Sequence, residues 1–125
     1  MTDGLKLMLP CTARSVRETR IAITALARAA GMDEEKIHEL QLAVSEAATN
    51  AVQHGREHDG ELLVQAAAAD GALQVWITDR SGGMRPRMDR PGLGLGLPIM
   101  ASVTDQLEVV TDREGTTVKM TFLFE

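Results

Sequence analysis

Apolar and polar positions alternate from Gly4 to Leu9 and the run stops at Pro10, which predicts a short first strand at a sheet edge. The period then lengthens. Ser15 is placed to cap a helix carrying Val16, Ile21, Ile23, Leu26 and Ala29, which stops at Gly31. Asp33 is placed to cap a second helix whose first turn is rich in Glu, as the helix dipole favours. Its apolar positions Ile37, Leu40, Val44, Ala47 and Ala51 recur at helical spacing, and it ends near Gly55. From residue 61 the period becomes two. The runs 61–70 and 72–79 read as strands joined at Asp70-Gly71, a strong hairpin signal. In the second run Leu73, Val75 and Ile77 face one way, and Gln74, Trp76 and Thr78 the other.

Residues 80–93 break both periods with four Gly or Ser, two Pro and four Arg, and read as a loop. A third helix is expected from Gly94 to Val103. A closing hairpin then turns around Glu114-Gly115, with Val118, Met120, Phe122 and Phe124 on one face of the last strand. The order β-α-α-β-β-loop-α-β-β separates strands from helices. It predicts an α+β two-layer sandwich, three helices on one face of a mixed, mostly antiparallel sheet.

Composition narrows this picture. A chain of 125 residues fits one domain, taken as 1–125, and shows no repeat or interdomain linker. The 44% hydrophobic and 25% charged residues are the balance of a globular protein. A net charge of −5 argues against direct nucleic-acid binding and agrees with protein partners. The single Cys11 excludes an intramolecular disulfide and a cysteine zinc cluster. There is no apolar run of about 20 residues and no signal-peptide pattern, so the expected location is cytoplasmic and off the membrane.

Three segments carry candidate chemistry. In the second helix Glu46, Asn50 and His54 stand four residues apart on one stripe beside a run of alanines. An Asn carbonyl suits Mg²⁺, a hard cation that takes few protein ligands plus phosphate oxygens. Glu46, one turn earlier, is placed to accept a proton from a hydroxyl. The same stripe reads equally as a solvated helix face. Next, a strand delivers Asp79 to its end, followed by Gly82 and Gly83. There a carboxylate can accept a hydrogen bond from an exocyclic amine such as adenine N6, although Asp, Ser and Gly also make ordinary turns. Last, Gly92, Gly94 and Gly96 precede a helix, as in a phosphate cradle or a flexible loop. The offsets are not those of a dinucleotide fingerprint, and no Gly-Lys-Ser/Thr of a P-loop occurs. Arg80, Arg85, Arg87 and Arg90 lie between the two glycine segments and would add positive charge for a polyphosphate.

Taken in order, these segments resemble the N, G1 and G2 boxes of the GHKL ATPases, the superfamily of gyrase, Hsp90 and histidine kinases. Within it, VSEAATNAVQHG and GLGLPIM resemble the anti-sigma serine kinases of bacterial partner-switching systems. The likeness runs from about Pro10 to Phe124. It implies the Bergerat ATP-binding fold, with ATP and Mg²⁺ as cofactors. The expected partners are an anti-anti-sigma (STAS-type) protein and a sigma factor, and the expected assembly is a homodimer. By the same resemblance Asn50 holds Mg²⁺ and Glu46 is the general base. Asp79 reads adenine with Thr116 through a shared water, and Gly83, Gly94, Leu95 and Gly96 close on the nucleotide. His54 takes a structural or sugar-proximal role, and Arg20 on the first helix lies in the region of dimer and sigma contacts.

The chain departs from the family pattern twice. Ser81 stands at the first glycine position of the G1 box, and Gly92-Leu93 stand where kinases of the family carry an arginine. The nearest arginine, Arg90, is then the one to neutralise the transferring phosphoryl group, a contact worth orders of magnitude in rate. That departure keeps two further readings in play. One is a non-catalytic ATP-gated anti-sigma binder; the other is a switch kinase acting on a STAS scaffold without a sigma partner.

Overall fold

The computed structural model describes residues 3–57, 59–80, 98–113 and 115–124. Along the chain these form β1 (Asp3–Pro10), α1 (Ala13–Ala29), α2 (Glu34–Glu57), β2 (Glu61–Ala69) and β3 (Ala72–Arg80). Helical residues 98–103 (α3) follow, then β4 (Gln106–Asp112) and β5 (Gly115–Leu123). The expected α+β order is found.

The first helix starts earlier than its Ser15 signal suggests. Thr12 is the N-cap, in extended backbone, and its Oγ1 accepts from the Ser15 N–H at 3.3 Å. Ser15 instead lies buried in the first turn, its hydroxyl 3.2 Å from that of Thr12. Thr12 caps as well as Ser15 would, and Ala13 and Arg14 are good helix formers, so the helix extends back to the first capping residue after the strand. At the far end the Gly31 N–H reaches the Arg28 carbonyl and the Met32 N–H that of Ala27. This is a Schellman stop with Gly31 at φ +96°. Asp33 caps α2 as expected, its Oδ1 accepting from the Lys36 N–H at 2.8 Å.

The apolar face of α1 also differs from the expected one. Ser15, Thr19, Ile23 and Ala27 are its buried stripe, while Ile21 is 56% exposed and Ala29 is exposed. Four residues at i, i+4 spacing, three of them small, let α1 lie close against α2. Ile21 is half a turn away from Ile23 and points outward.

The sheet order is β1-β2-β3-β5-β4, and all four neighbouring pairs are antiparallel. The sheet is therefore not mixed. Two helices between β1 and β2 return the chain to the end of the sheet where β1 finishes, Glu61 pairing with Pro10, so β2 runs against β1. β3 and β4 do run parallel across one crossover, but β5 is inserted between them and pairs antiparallel with both. Asp70 and Gly71, at φ +53° and +75°, make the expected two-residue turn. The second hairpin is displaced from its expected centre: Gly115 pairs with Asp112 inside the ladder, and Glu114 lies outside the described residues.

Alternation sorts the sheet into two faces. Leu62, Val64, Leu73, Val75, Ile77, Met120 and Phe122 turn inward against Ile23, Ile37, Leu40 and the alanines of α2. Val118 and Phe124, also on that face, are partly buried against this core. On the outer face Trp76 lies under the Lys119 ammonium, 5.6 Å from its ring centroid. A polar tie holds the N-terminal end of α2 to the sheet. Asp105 Oδ2 accepts from the Leu123 N–H at 2.7 Å and from Lys36 Nζ at 3.1 Å.

Candidate functional site

The polar stripe of α2 is not parallel to the helix axis. Steps of four residues turn by about 40° on a helix of 3.6 residues per turn. Glu46 and Asn50 therefore stand half-buried at the border of the core, and His54 is carried into it, only 4% exposed. Alanines at 43, 47, 48 and 51, all buried, bring the helix close to the sheet. Neither a fully solvated face nor a plain core face describes this stripe.

Asp79 meets it from the sheet. It lies on the inner face of β3, opposite Leu62 on one side and Thr116 on the other, and is also 4% exposed. Its Oδ2 is 3.0 Å from His54 Nδ1, and its Oδ1 accepts from the Thr116 backbone N–H at 3.2 Å. A carboxylate only accepts, so His54 Nδ1 carries the proton of that bond. Gly115 makes the fit feasible. At φ +148° its backbone lies against Asp79, and a Cβ there would overlap the Asp79 carbonyl oxygen and come within 2.7 Å of Oδ1. Asn50 is one turn from His54, about 6 Å along the axis, on the same side of the helix. Its Nδ2 is buried with no hydrogen-bond partner among the described residues. His54, Asp79 and Thr116 thus meet, with Asn50 one turn and Glu46 two turns back along α2.

The Asp79 carboxylate also acts on Cys11, which follows β1. Burial comes first and the neighbouring Asp79 charge second in pushing its thiol up from the ordinary value, with Arg56 opposing. Cys11 is therefore a packing residue in its thiol form at neutral pH.

The histidine kinase-like ATPase domain family matches residues 9–122. The chain belongs to that family. Among curated relatives, the serine-protein kinase RsbW of Bacillus pumilus is 30% identical over 95% of this chain and 85% of its own length. The RsbW of Listeria monocytogenes is 32% identical, over 97% of this chain and 87% of its own. Among solved structures, the RsbU and RsbW domains of a Mycobacterium tuberculosis protein match with a TM-score of 0.78 at 26% identity. That match takes in 98% of this chain, which spans 32% of the longer protein. The histidine kinase domain of a blue-light activated kinase from Erythrobacter litoralis matches with a TM-score of 0.58 at 28% identity, over 72% of this chain and 45% of its own.

Membership of the histidine kinase-like ATPase domain family implies the use of ATP. No helix among the described residues is long and apolar enough to cross a membrane. Arg90, Gly83, Gly94, Leu95 and Gly96, expected around the phosphates, lie outside the described residues.

Two residues were under-read in the sequence. His54 touches the carboxylate directly, a contact its place at the end of the Glu46-Asn50 stripe signals once the 40° drift is counted. Gly115 looked like a turn residue and is a strand residue whose missing side chain makes room for Asp79. Thr116 contributes its backbone N–H to Asp79, while its hydroxyl lies 3.5 Å from that of Thr111.

Proposed function

We propose that this chain is an ATP-dependent serine kinase of a small anti-anti-sigma, STAS-type partner, and that it also sequesters a sigma factor. The observation that carries the reading is the buried Asp79 carboxylate, held by Thr116 and by His54, which stands one helical turn from Asn50. Such a carboxylate accepts from the exocyclic amine of adenine. The partly buried Asn50 amide offers an acceptor oxygen, and its buried N–H has no partner among the described residues, a donor that phosphate oxygens would satisfy.

The amide oxygen of Asn50 fits Mg²⁺, a hard cation that prefers oxygen ligands and shares its shell with phosphates. When bound, the ion neutralises charge on the β- and γ-phosphate oxygens. In the transfer the γ-phosphoryl group leaves ADP and bonds to the serine Oγ of the partner, and the hydroxyl proton passes to the Glu46 carboxylate. Glu46 is half-buried on the open border of α2, where a partner's loop can reach it. Arg90 is the nearest arginine to supply further positive charge. Ile21, exposed on α1 beside Arg20, offers apolar surface for a homodimer and for the sigma factor. A sigma partner places the protein in the cytoplasm.

Incubation with γ-labelled ATP, Mg²⁺ and STAS partners tests this: label is expected on a partner serine. Asn50→Ala should weaken Mg-ATP binding on the order of tenfold or more, the scale of one lost charge-assisted contact. Undiminished Mg-ATP binding by that variant refutes the metal role. ATP bound with no label transferred favours the non-catalytic, ATP-gated binder, for which the Gly92-Leu93 pair in place of an arginine already speaks.

A further inference from the structure

We infer that His54 is a positioning residue for base selection: by donating its Nδ1–H to Asp79 it fixes the carboxylate as an acceptor aimed at a 6-amino purine and set against a 6-oxo purine. The inference rests on the proposed reading of Asp79 as the adenine acceptor and adds the residue that sets its orientation.

The two oxygens of Asp79 are anchored from different elements. Oδ2 meets His54 of α2 at 3.0 Å and Oδ1 meets the Thr116 N–H of β5 at 3.2 Å. A carboxyl group gripped by a donor at each oxygen cannot rotate about its Cβ–Cγ bond without breaking both bonds. Each of these bonds leaves a further lone pair on its oxygen, so the held carboxylate can still accept from a ligand. Gly115 backbone closes off the β5 side. Among the described residues, His54 is the side-chain anchor of the carboxylate and Thr116 the main-chain one, so a substitution can remove the His54 anchor alone. A carboxylate held this way accepts from the 6-amino group of adenine. Against the 6-oxo group of hypoxanthine or guanine it presents lone pair to lone pair. A purely structural His54 would be replaceable by any residue filling the same buried space, with no effect on which base is preferred.

The test titrates ADP and inosine diphosphate calorimetrically into the full chain and into His54→Leu, His54→Asn and Asp79→Asn. Leu fills the space without the donor, whereas the Asn amide N–H restores a donor at the position of Nδ1. The parent should favour ADP strongly. His54→Leu should weaken ADP by roughly tenfold, the scale of one hydrogen bond to a charged group, and leave inosine diphosphate much less affected. His54→Asn should recover most of the preference. A folded His54→Leu protein with the parent's preference overturns the inference while leaving Asp79's role intact. Unchanged ADP binding in Asp79→Asn overturns the base-reading role and this inference with it. Should His54→Leu not fold, long-range ¹H–¹⁵N spectra of the unmodified protein decide. His54 Nδ1 must carry a proton and its resonance must move when ADP binds, and a bare or unresponsive Nδ1 overturns the proposal.

Discussion

Replacing Gly115 with Ala tests whether the carboxylate site depends on close backbone packing between β3 and β5. The added Cβ would overlap the Asp79 carbonyl oxygen and approach its carbonyl carbon to 2.9 Å, so the obstacle is main chain and no rotamer change removes it. The φ of +148° adds a backbone conformation that side chains avoid, costing about 1–3 kcal/mol. Spreading the strands also strains the Thr116 N–H to Asp79 bond, a contact to a charged group worth about 1.5–3 kcal/mol. The two together come to roughly 3–5 kcal/mol, a large share of the 5–15 kcal/mol that stabilises a typical domain. At roughly 3–5 °C per kcal/mol for a chain of this size, thermal unfolding should fall by about 10–20 °C. Gly31→Ala is the control. Gly31 also has positive φ, but nothing lies within 4 Å of its added Cβ, so only about 1 kcal/mol is expected. Circular dichroism melts of both variants read the difference. Equal losses in the two would refute the contact with Asp79 as the cause.

Glu46→Gln removes the proton acceptor while keeping the size of the side chain. Serine phosphorylation should slow by about 10²–10⁴ in kcat with little change in ATP affinity, and an unchanged kcat removes Glu46 from the reaction. Asp105→Asn should weaken the tie between α2 and the end of β5. The Leu123 N–H first, and Lys36 after it, hold the Asp105 carboxyl below its ordinary value. A carboxyl lowered in the folded state stabilises the fold above its unfolded value and loses that contribution as the pH falls through the folded one. Urea midpoints should therefore separate parent and variant at neutral pH, by up to about 1 kcal/mol after allowing for solvent screening of this partly exposed group. The gap should close as the pH falls through the lowered folded-state value, and a gap independent of pH would contradict the assignment.

Local physics made much of the architecture legible. Strict alternation placed Leu73, Val75 and Ile77 inside, and the Asp70-Gly71 pair marked its turn because both residues adopt positive φ. The Asp33 cap and the Gly31 stop were likewise local. The misreadings arose where the deciding partner is far along the chain. Nothing near Ile21 shows that α2 takes the Ser15-Thr19-Ile23-Ala27 side of α1. Gly115 was read as a turn residue because its reason for being glycine, Asp79, lies across the sheet. His54 reads as one more surface polar group until helical drift and the depth of Asp79 are combined. In the candidate site Glu46, Asn50 and Asp79 were singled out by residue type and spacing and Thr116 by the family resemblance, whereas the contact of His54 with Asp79 is a product of the packing of α2 on β3.

The place of β5 has a consequence for biosynthesis. The strand that pairs with β3 follows it only after a long intervening stretch, with 37 residues separating Asp79 from Thr116. While the ribosome is still making that stretch, β3 has a bare edge and Asp79 lacks its main-chain anchor. Pairing of this range carries a loop-closure cost and forms late. The emerging polypeptide is thus exposed to mispairing with other chains until β5 slots in, and the grip on Asp79 is completed only then.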